Sequence, residues 1–160
     1  MKKFTCLATA LLILATSLSS CEDKEQECTP TVLNENDCIS ILSNLVHDES
    51  ASIIGKWKLE KKFQPFGQDV STSCLDYSHC NIVYEFKPNG VLTVSGRAGQ
   101  NIFPGVENHS YSIGSFPDER SLKINNTYWW HNVTSERLVF NLLPLDGGAY
   151  IFVRVTPTID

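Results

Sequence analysis

The sequence predicts an all-β domain, an eight-stranded antiparallel up-and-down barrel, with a β-sandwich as the alternative. Three observations carry this expectation. From Ile53 onward the chain consists of eight short β-like runs, at 56–64, 82–87, 91–95, 110–114, 121–125, 127–133, 137–142 and 149–155, with alternation clearest in 82–87 and 91–95. Turn residues separate them, most plainly Pro88-Asn89-Gly90 inside YEFKPNGVLTV and the PLDGG stretch before the last run. Almost no helical spacing intervenes, so neighbouring strands join by hairpins, and closing the meander into a barrel leaves no open edge.

Ahead of the strands, residues 1–20 have the form of a targeting signal. Lys2 and Lys3 precede the apolar run LATALLILA, which is shorter than the roughly 20 residues that span a bilayer. The signal is followed by a polar stretch, 21–36, in which Glu22, Asp23, Glu25, Glu27 and Pro30 predict a charged tether. DCISILSNLVHD then carries apolar residues at Ile39, Leu42 and Val46, with Ile41 and Leu45 alongside. That spacing predicts a short helix over 37–48, capped by Asp37 and packed on the barrel. The expected organisation is therefore a signal (1–20), a tether (21–36) and one domain (37–160).

Charge and cysteine content narrow the setting. The full chain has 13 basic and 18 acidic side chains, a net charge of −5, and loss of the signal removes Lys2 and Lys3. An acidic chain without a basic cluster is a poor ligand for phosphate backbones, so nucleic acid is not an expected partner. Of six cysteines, Cys6 lies in the signal, while Cys28, Cys38, Cys74 and Cys80 are disulfide candidates in an oxidising envelope. Short loops favour Cys28 with Cys38 and Cys74 with Cys80, and a cross pairing that clamps the N-terminal arm to the barrel stays open. CLDYSHC also sets His79 beside two thiols. It lacks the paired short elements of a structural zinc site, so no metal or other cofactor is expected.

Two resemblances add to this reading. Leu18-Ser19-Ser20-Cys21 resembles the lipobox of bacterial lipoproteins, which implies acylation of Cys21 and attachment to the membrane through lipid; an ordinary secretory signal is the alternative. The acids after it are similar to the signal by which Bacteroidetes-type bacteria send lipoproteins to the outer face of the outer membrane. Further on, IIGKWKLEKKF resembles the first strand of a lipocalin, with Gly55-Lys56-Trp57 as its Gly-x-Trp, and AYIFVRV places Arg154 where that family lays an arginine across the tryptophan. The resemblance covers about residues 53–156 and implies a lipocalin-like barrel whose base is closed by Trp57 and Arg154. A guanidinium over an indole contributes about 0.5–2 kcal/mol. No long helix follows the barrel, unlike in larger lipocalins.

The candidate ligand or partner surface is TYWWHNV. Successive strand residues face opposite ways, so one of Trp129 and Trp130 faces outward, with Tyr128 sharing the face of Trp130 and His131 that of Trp129. The outward ring either docks the helix or forms a platform for a glycan, lipid or protein. Arg97, in the long loop SGRAGQNIFPGVEN, is a candidate contact for an acidic ligand group at the barrel mouth. No HExxH, GxSxG, GxGxxG or P-loop pattern is present, so no catalytic residue is assigned. His109 and His131 with Glu107 form a weaker candidate for a metal or general-base site.

Three functions follow as expectations. The first is an outer-membrane lipoprotein, monomeric and surface-exposed or envelope-facing, that binds a small apolar molecule in its barrel. The second is an interaction protein with a filled barrel that contacts an envelope protein. The third is a hydrolase of envelope glycan or lipid, dependent on His131.

Overall fold

All eight predicted runs form strands, and together they close. The structure, a computed structural model, describes residues 28–64, 73–96, 102–114, 120–142 and 148–156. Its elements are β1 (Thr31–Leu33), α1 (Glu35–Asn44), β2 (Gly55–Gln64), β3 (Ser73–Asp76), β4 (Val83–Phe86), β5 (Val91–Ser95), β6 (Asn108–Ile113), β7 (Ser121–Ile124), β8 (Thr127–Val133), β9 (Arg137–Leu142) and β10 (Ala149–Arg154). Every neighbouring pair is antiparallel, and β2 joins both β10 and β4, so β2 and β4–β10 make a closed eight-stranded barrel. The sandwich alternative is excluded by that closure. The signal peptide, Cys21, Arg97 and most of the PLDGG turn lie outside the described residues.

The period-2 pattern sorts side chains as the pleat requires. Trp57, Leu59, Tyr84, Phe86, Leu92, Val94, Leu122, Ile124, Trp129, Leu138, Phe140, Tyr150 and Phe152 point inward and form one core. The Pro88-Asn89-Gly90 turn is where the sequence placed it. Gly90 has φ +77 and donates its N–H to Lys87 O, which closes the β4–β5 hairpin. Asn125, at φ +52, serves the two-residue turn between β7 and β8, a conformation asparagine tolerates.

One irregularity redirects β2. Its register against β10 slips between Ile151 and Phe152, so that Ile151 faces Lys61 and Phe152 faces Leu59, leaving Glu60 as the extra residue. Before the bulge β2 pairs with β4, and after it with β3. The slip inverts the facing of the strand's second half. Lys62 comes to sit inside, with Nζ 5.4 Å from the centre of the Tyr150 ring, while Phe63 turns out. Glu60 itself reaches Arg137 at 2.7 Å.

The segment expected to be a tether is structured from Cys28 onward. β1 pairs with β3, and both extend the sheet beyond the barrel. The helix runs over 35–44 rather than 37–48, and its N-cap is Asn34, not Asp37: Asn34 Oδ1 accepts the Asn36 N–H at 2.9 Å. Asparagine caps as well as aspartate does, and this start places Glu35 and Asp37 in the first turn, where the helix dipole favours acids. The helix ends at Asn44 because the chain turns to cross the barrel base, where Asp48 N–H bonds Val133 O.

Cys28 bonds Cys80, and Cys38 bonds Cys74. This is the cross pairing, not the short-loop pairing that the spacing favoured, and the reason lies in β1. Once β1 lies along β3 with Leu33 opposite Cys74, the next helical turn carries Cys38 over Cys74. A second, smaller core results outside the barrel, where Cys38, Cys74, Val139, Ala149 and Ile151 are buried with Leu33, Ile41, Leu42, Leu45 and Phe63 around them. Full burial of such a side chain is worth about 1.5–3 kcal/mol, which makes this patch, not the Trp130 face, the seat of the helix.

Candidate functional site

The barrel has two ends of different character. At the base, where β2 begins and β10 ends, Trp57 is fully buried and donates Nε1–H to Ile53 O at 2.7 Å. Arg154 lies over its ring at 4.0 Å. The guanidinium donates Nε–H to Ser135 O, Nη1–H to Ile54 O and Nη2–H to Ser52 O, at 2.7, 3.3 and 2.6 Å. One side chain thus ties the β8–β9 turn to the segment entering β2. The base is closed by this pair, a structural plug.

His131 also lies toward this end. It is 5% exposed, and Nδ1–H donates to Arg120 O at 2.7 Å. Its neighbour is His47, with ring centres 5.9 Å apart, and His47 Nδ1 accepts the Val133 N–H. His109 is engaged elsewhere: Nε2–H donates to Gly105 O, and Nδ1 accepts from Asn125 Nδ2. His109 and His131 are therefore not brought together as a metal or general-base pair.

The opposite end, the mouth, is lined by aromatic rings. Trp129, Phe140, Tyr150, Phe152 and Tyr84 form a connected stack with ring centres 4.7–6.4 Å apart. Onto this stack the loop between β5 and β6 lowers Ile102 and Phe103. Ile102 is buried, and the Phe103 ring sits 5.1 Å from Trp129. Two tyrosines hold the loop in place: Tyr84 OH donates to Phe103 O, and Tyr150 OH accepts the Phe103 N–H at 3.2 Å. The sequence pattern gave no hint of this contact, since IFP sits within a glycine-bearing polar loop. Lys62 is likewise an unforeseen mouth residue, turned inward by the bulge.

Two features give the mouth its chemistry. Burial pushes the Tyr150 hydroxyl up to about 12, a shift tempered by the Phe103 N–H and reinforced by Tyr77. Tyr84 is raised well above its usual range, first by burial and then by Tyr150 and Tyr77. Burial also lowers the Lys62 ammonium. The second feature is Trp129, only 4% exposed, whose indole N–H has no acceptor among the described residues. Burying a donor unpaired costs about 1–3 kcal/mol.

The tyrosines give a pH expectation. An ionised phenolate is disfavoured in the fold, so unfolded tyrosines ionise near 10 while Tyr150 holds its proton to about 12. Their contribution is complete below pH 10 and is lost as pH rises toward 12. Urea melts at increasing alkaline pH should show falling stability across that window. Tyrosine absorbance in the native state should retain a late-ionising component.

Trp129 faces in and Trp130 faces out. Tyr128 and Trp130, 39% and 40% exposed, share the outer face of β8. Lys123 Nζ lies 5.3 Å from the Tyr128 ring centre and the Arg120 guanidinium 5.8 Å from that of Trp130. Asn141 stands opposite Trp130 on β9, its Oδ1 buried without a donor among the described residues. The helix does not cover this face, because it packs against β2 and β3. His79 lies beside the Cys28–Cys80 bridge, the three ligand atoms within 4.8 Å of one another, and bonds Thr29 O. In the disulfide neither sulfur is the thiolate that binds metal.

No family model and no curated protein matches this chain.

Proposed function

We propose that the protein is a non-enzymatic binding module of the bacterial cell envelope, a monomer held at the outer membrane by lipid on Cys21, whose barrel mouth takes a small, mostly apolar molecule in the place of Phe103. The observation that carries this reading is Trp129: a buried indole N–H without an acceptor, set in aromatic rings and covered by one loop residue. A ligand with a flat apolar body and a carbonyl or hydroxyl oxygen satisfies that donor and gains the ring contacts Phe103 now makes. Lys62 near the same rim favours an acidic or strongly polar group on the ligand's outer end.

Native mass spectrometry of the mature chain with both disulfides, after exposure to host lysate, tests the proposal. The expected result is a discrete added mass that disappears on denaturation. Phe103→Ala should raise its occupancy by opening the site. Trp129→Phe keeps a ring but removes the N–H and should weaken binding by about fivefold to tenfold, the worth of one hydrogen bond of roughly 1–1.5 kcal/mol. A clean apo mass in the wild type and in Phe103→Ala overturns the mouth as a binding site.

A second reading has its own observation, the full burial of Trp57, Tyr84, Phe86, Phe140 and Phe152, which fill the barrel with its own side chains. On that reading the Tyr128–Trp130 face meets an envelope protein. Trp130→Ala should then abolish capture of the partner while leaving the melting temperature near that of the wild type.

A further inference from the structure

The mouth and Cys28, where the described structure begins, are at the same end of the molecule. Cys80 precedes β4 at its mouth end, next to Asn81 and Ile82, and Gly96 leaves β5 against those two residues: a Cβ there would lie 2.4 Å from Asn81 O and 2.9 Å from Ile82 Cα. The disulfide from Cys80 fixes Cys28 to this rim, and His79 adds a bond to Thr29 O at 3.1 Å. The N-terminal strap therefore leaves the described structure beside the loop that carries Phe103, not at the Trp57 base.

Chain length then sets the geometry. Between Cys21 and Cys28 a fully extended backbone spans at most about 25 Å. The ten residues of β2, rising about 3.3 Å each and tilted about 40°, give a barrel roughly 25 Å tall. We infer that the lipid-modified chain presents its mouth rim to the bilayer surface, with the Trp57 base turned away, so that the ligand of the mouth is an amphiphile taken from the membrane rather than a solute from the medium. This inference rests on the anchoring at Cys21 proposed above. Exposed apolar side chains stand on both halves, Val106, 45% exposed, on the mouth loop and Val32, 70% exposed, on β1, against Val46, 78% exposed, and Ile113, 44% exposed, toward the base, so the disulfide-fixed strap is what sets the orientation. Val155, 38% exposed and bonded through its N–H to Lys56 O, marks the base.

The test places a photo-crosslinking amino acid at Val106 or at Val155 in the full, lipid-modified chain bound to vesicles of phosphatidylethanolamine and phosphatidylglycerol. Mass spectrometry then reads adducts to phospholipid. Val106 should give lipid adducts and Val155 only background. Replacing Cys28 and Cys80 together by alanine loosens the strap at the rim, where β1 still pairs with β3, and should reduce that preference while the chain stays with the vesicles. Equal adducts at both positions, or more at Val155, in a chain that sediments with membranes overturn the orientation and leave the anchor standing. If the wild type fails to sediment with membranes, or Cys21→Ser sediments equally well, the anchor at Cys21 falls, and this orientation with it.

Discussion

Replacing Cys38 and Cys74 together by alanine is expected to lower stability by about 4 kcal/mol, the entropy of opening a closed loop of this length in the unfolded chain. The two residues are 36 apart in sequence, and those of the other bridge 52 apart. A domain holds only about 5–15 kcal/mol in total. Both cysteines of the Cys38–Cys74 pair are fully buried, at the centre of the outer core that seats α1 on β3. Chemical denaturation followed by far-ultraviolet circular dichroism measures the change, with Cys28→Ala/Cys80→Ala as the comparison. The two closed loops overlap between Cys38 and Cys74, so removing both bridges should cost less than the sum of the two losses. Reduction of the wild type should detach the strap of β1 and α1 before the barrel opens, because the barrel's own pairings do not pass through it. A Cys38→Ala/Cys74→Ala variant within 1 kcal/mol of wild type, where about 4 is expected, would mean that the apolar contacts of Ile41, Leu42 and Leu45 hold the strap by themselves.

The barrel was legible because its signal is local. The strands from β4 to β10 are short apolar-rich runs, alternating most plainly in β4, β5 and β8, and turn residues such as Asn89-Gly90 mark where the chain reverses, so eight strands and their order could be read without knowing any partner. The features that were not legible depend on partners far away in sequence. TVL and SCLD are too short to show a period, and they become β1 and β3 only because the Glu60 bulge sends the end of β2 away from β4. The disulfide pairing follows from that strand pairing and could not precede it. For the same reason Lys62 reads as an outward residue in a strict alternation and faces inward in the structure. Phe103 presents another limit: nothing in a polar loop announces that its one aromatic residue will be drawn into a mouth lined by Trp129, Phe140 and Tyr150. Of the surface residues singled out, Tyr128 and Trp130 are placed together with Lys123 and Arg120, whereas Trp129 and His131 belong to the interior.

Trp57→Ala is expected to cost about 3–5 kcal/mol, the range for removing a large buried aromatic side chain. The ring is fully buried and its Nε1–H is bonded to Ile53 O, so the substitution both opens a void and leaves a carbonyl without its donor. Arg154 distinguishes this plug from ordinary core packing. Its guanidinium joins three carbonyls on two separate segments while lying over the indole. Lysine keeps the charge but offers no planar fork, so Arg154→Lys should behave more like a deletion than a conservative change, with a loss of about 2 kcal/mol from two or more hydrogen bonds. A double-mutant cycle between Trp57→Ala and Arg154→Ala isolates the ring–guanidinium contact, for which a coupling of about 0.5–2 kcal/mol is expected. Independent, additive losses would mean that Arg154 acts only through Ser52, Ile54 and Ser135, as a clasp across the base that does not depend on the indole beneath it. A measured coupling within the expected range would make the stacked ring and the clasp one cooperative unit. That is the arrangement needed if the base is to stay closed while the loop at the far end yields to a ligand.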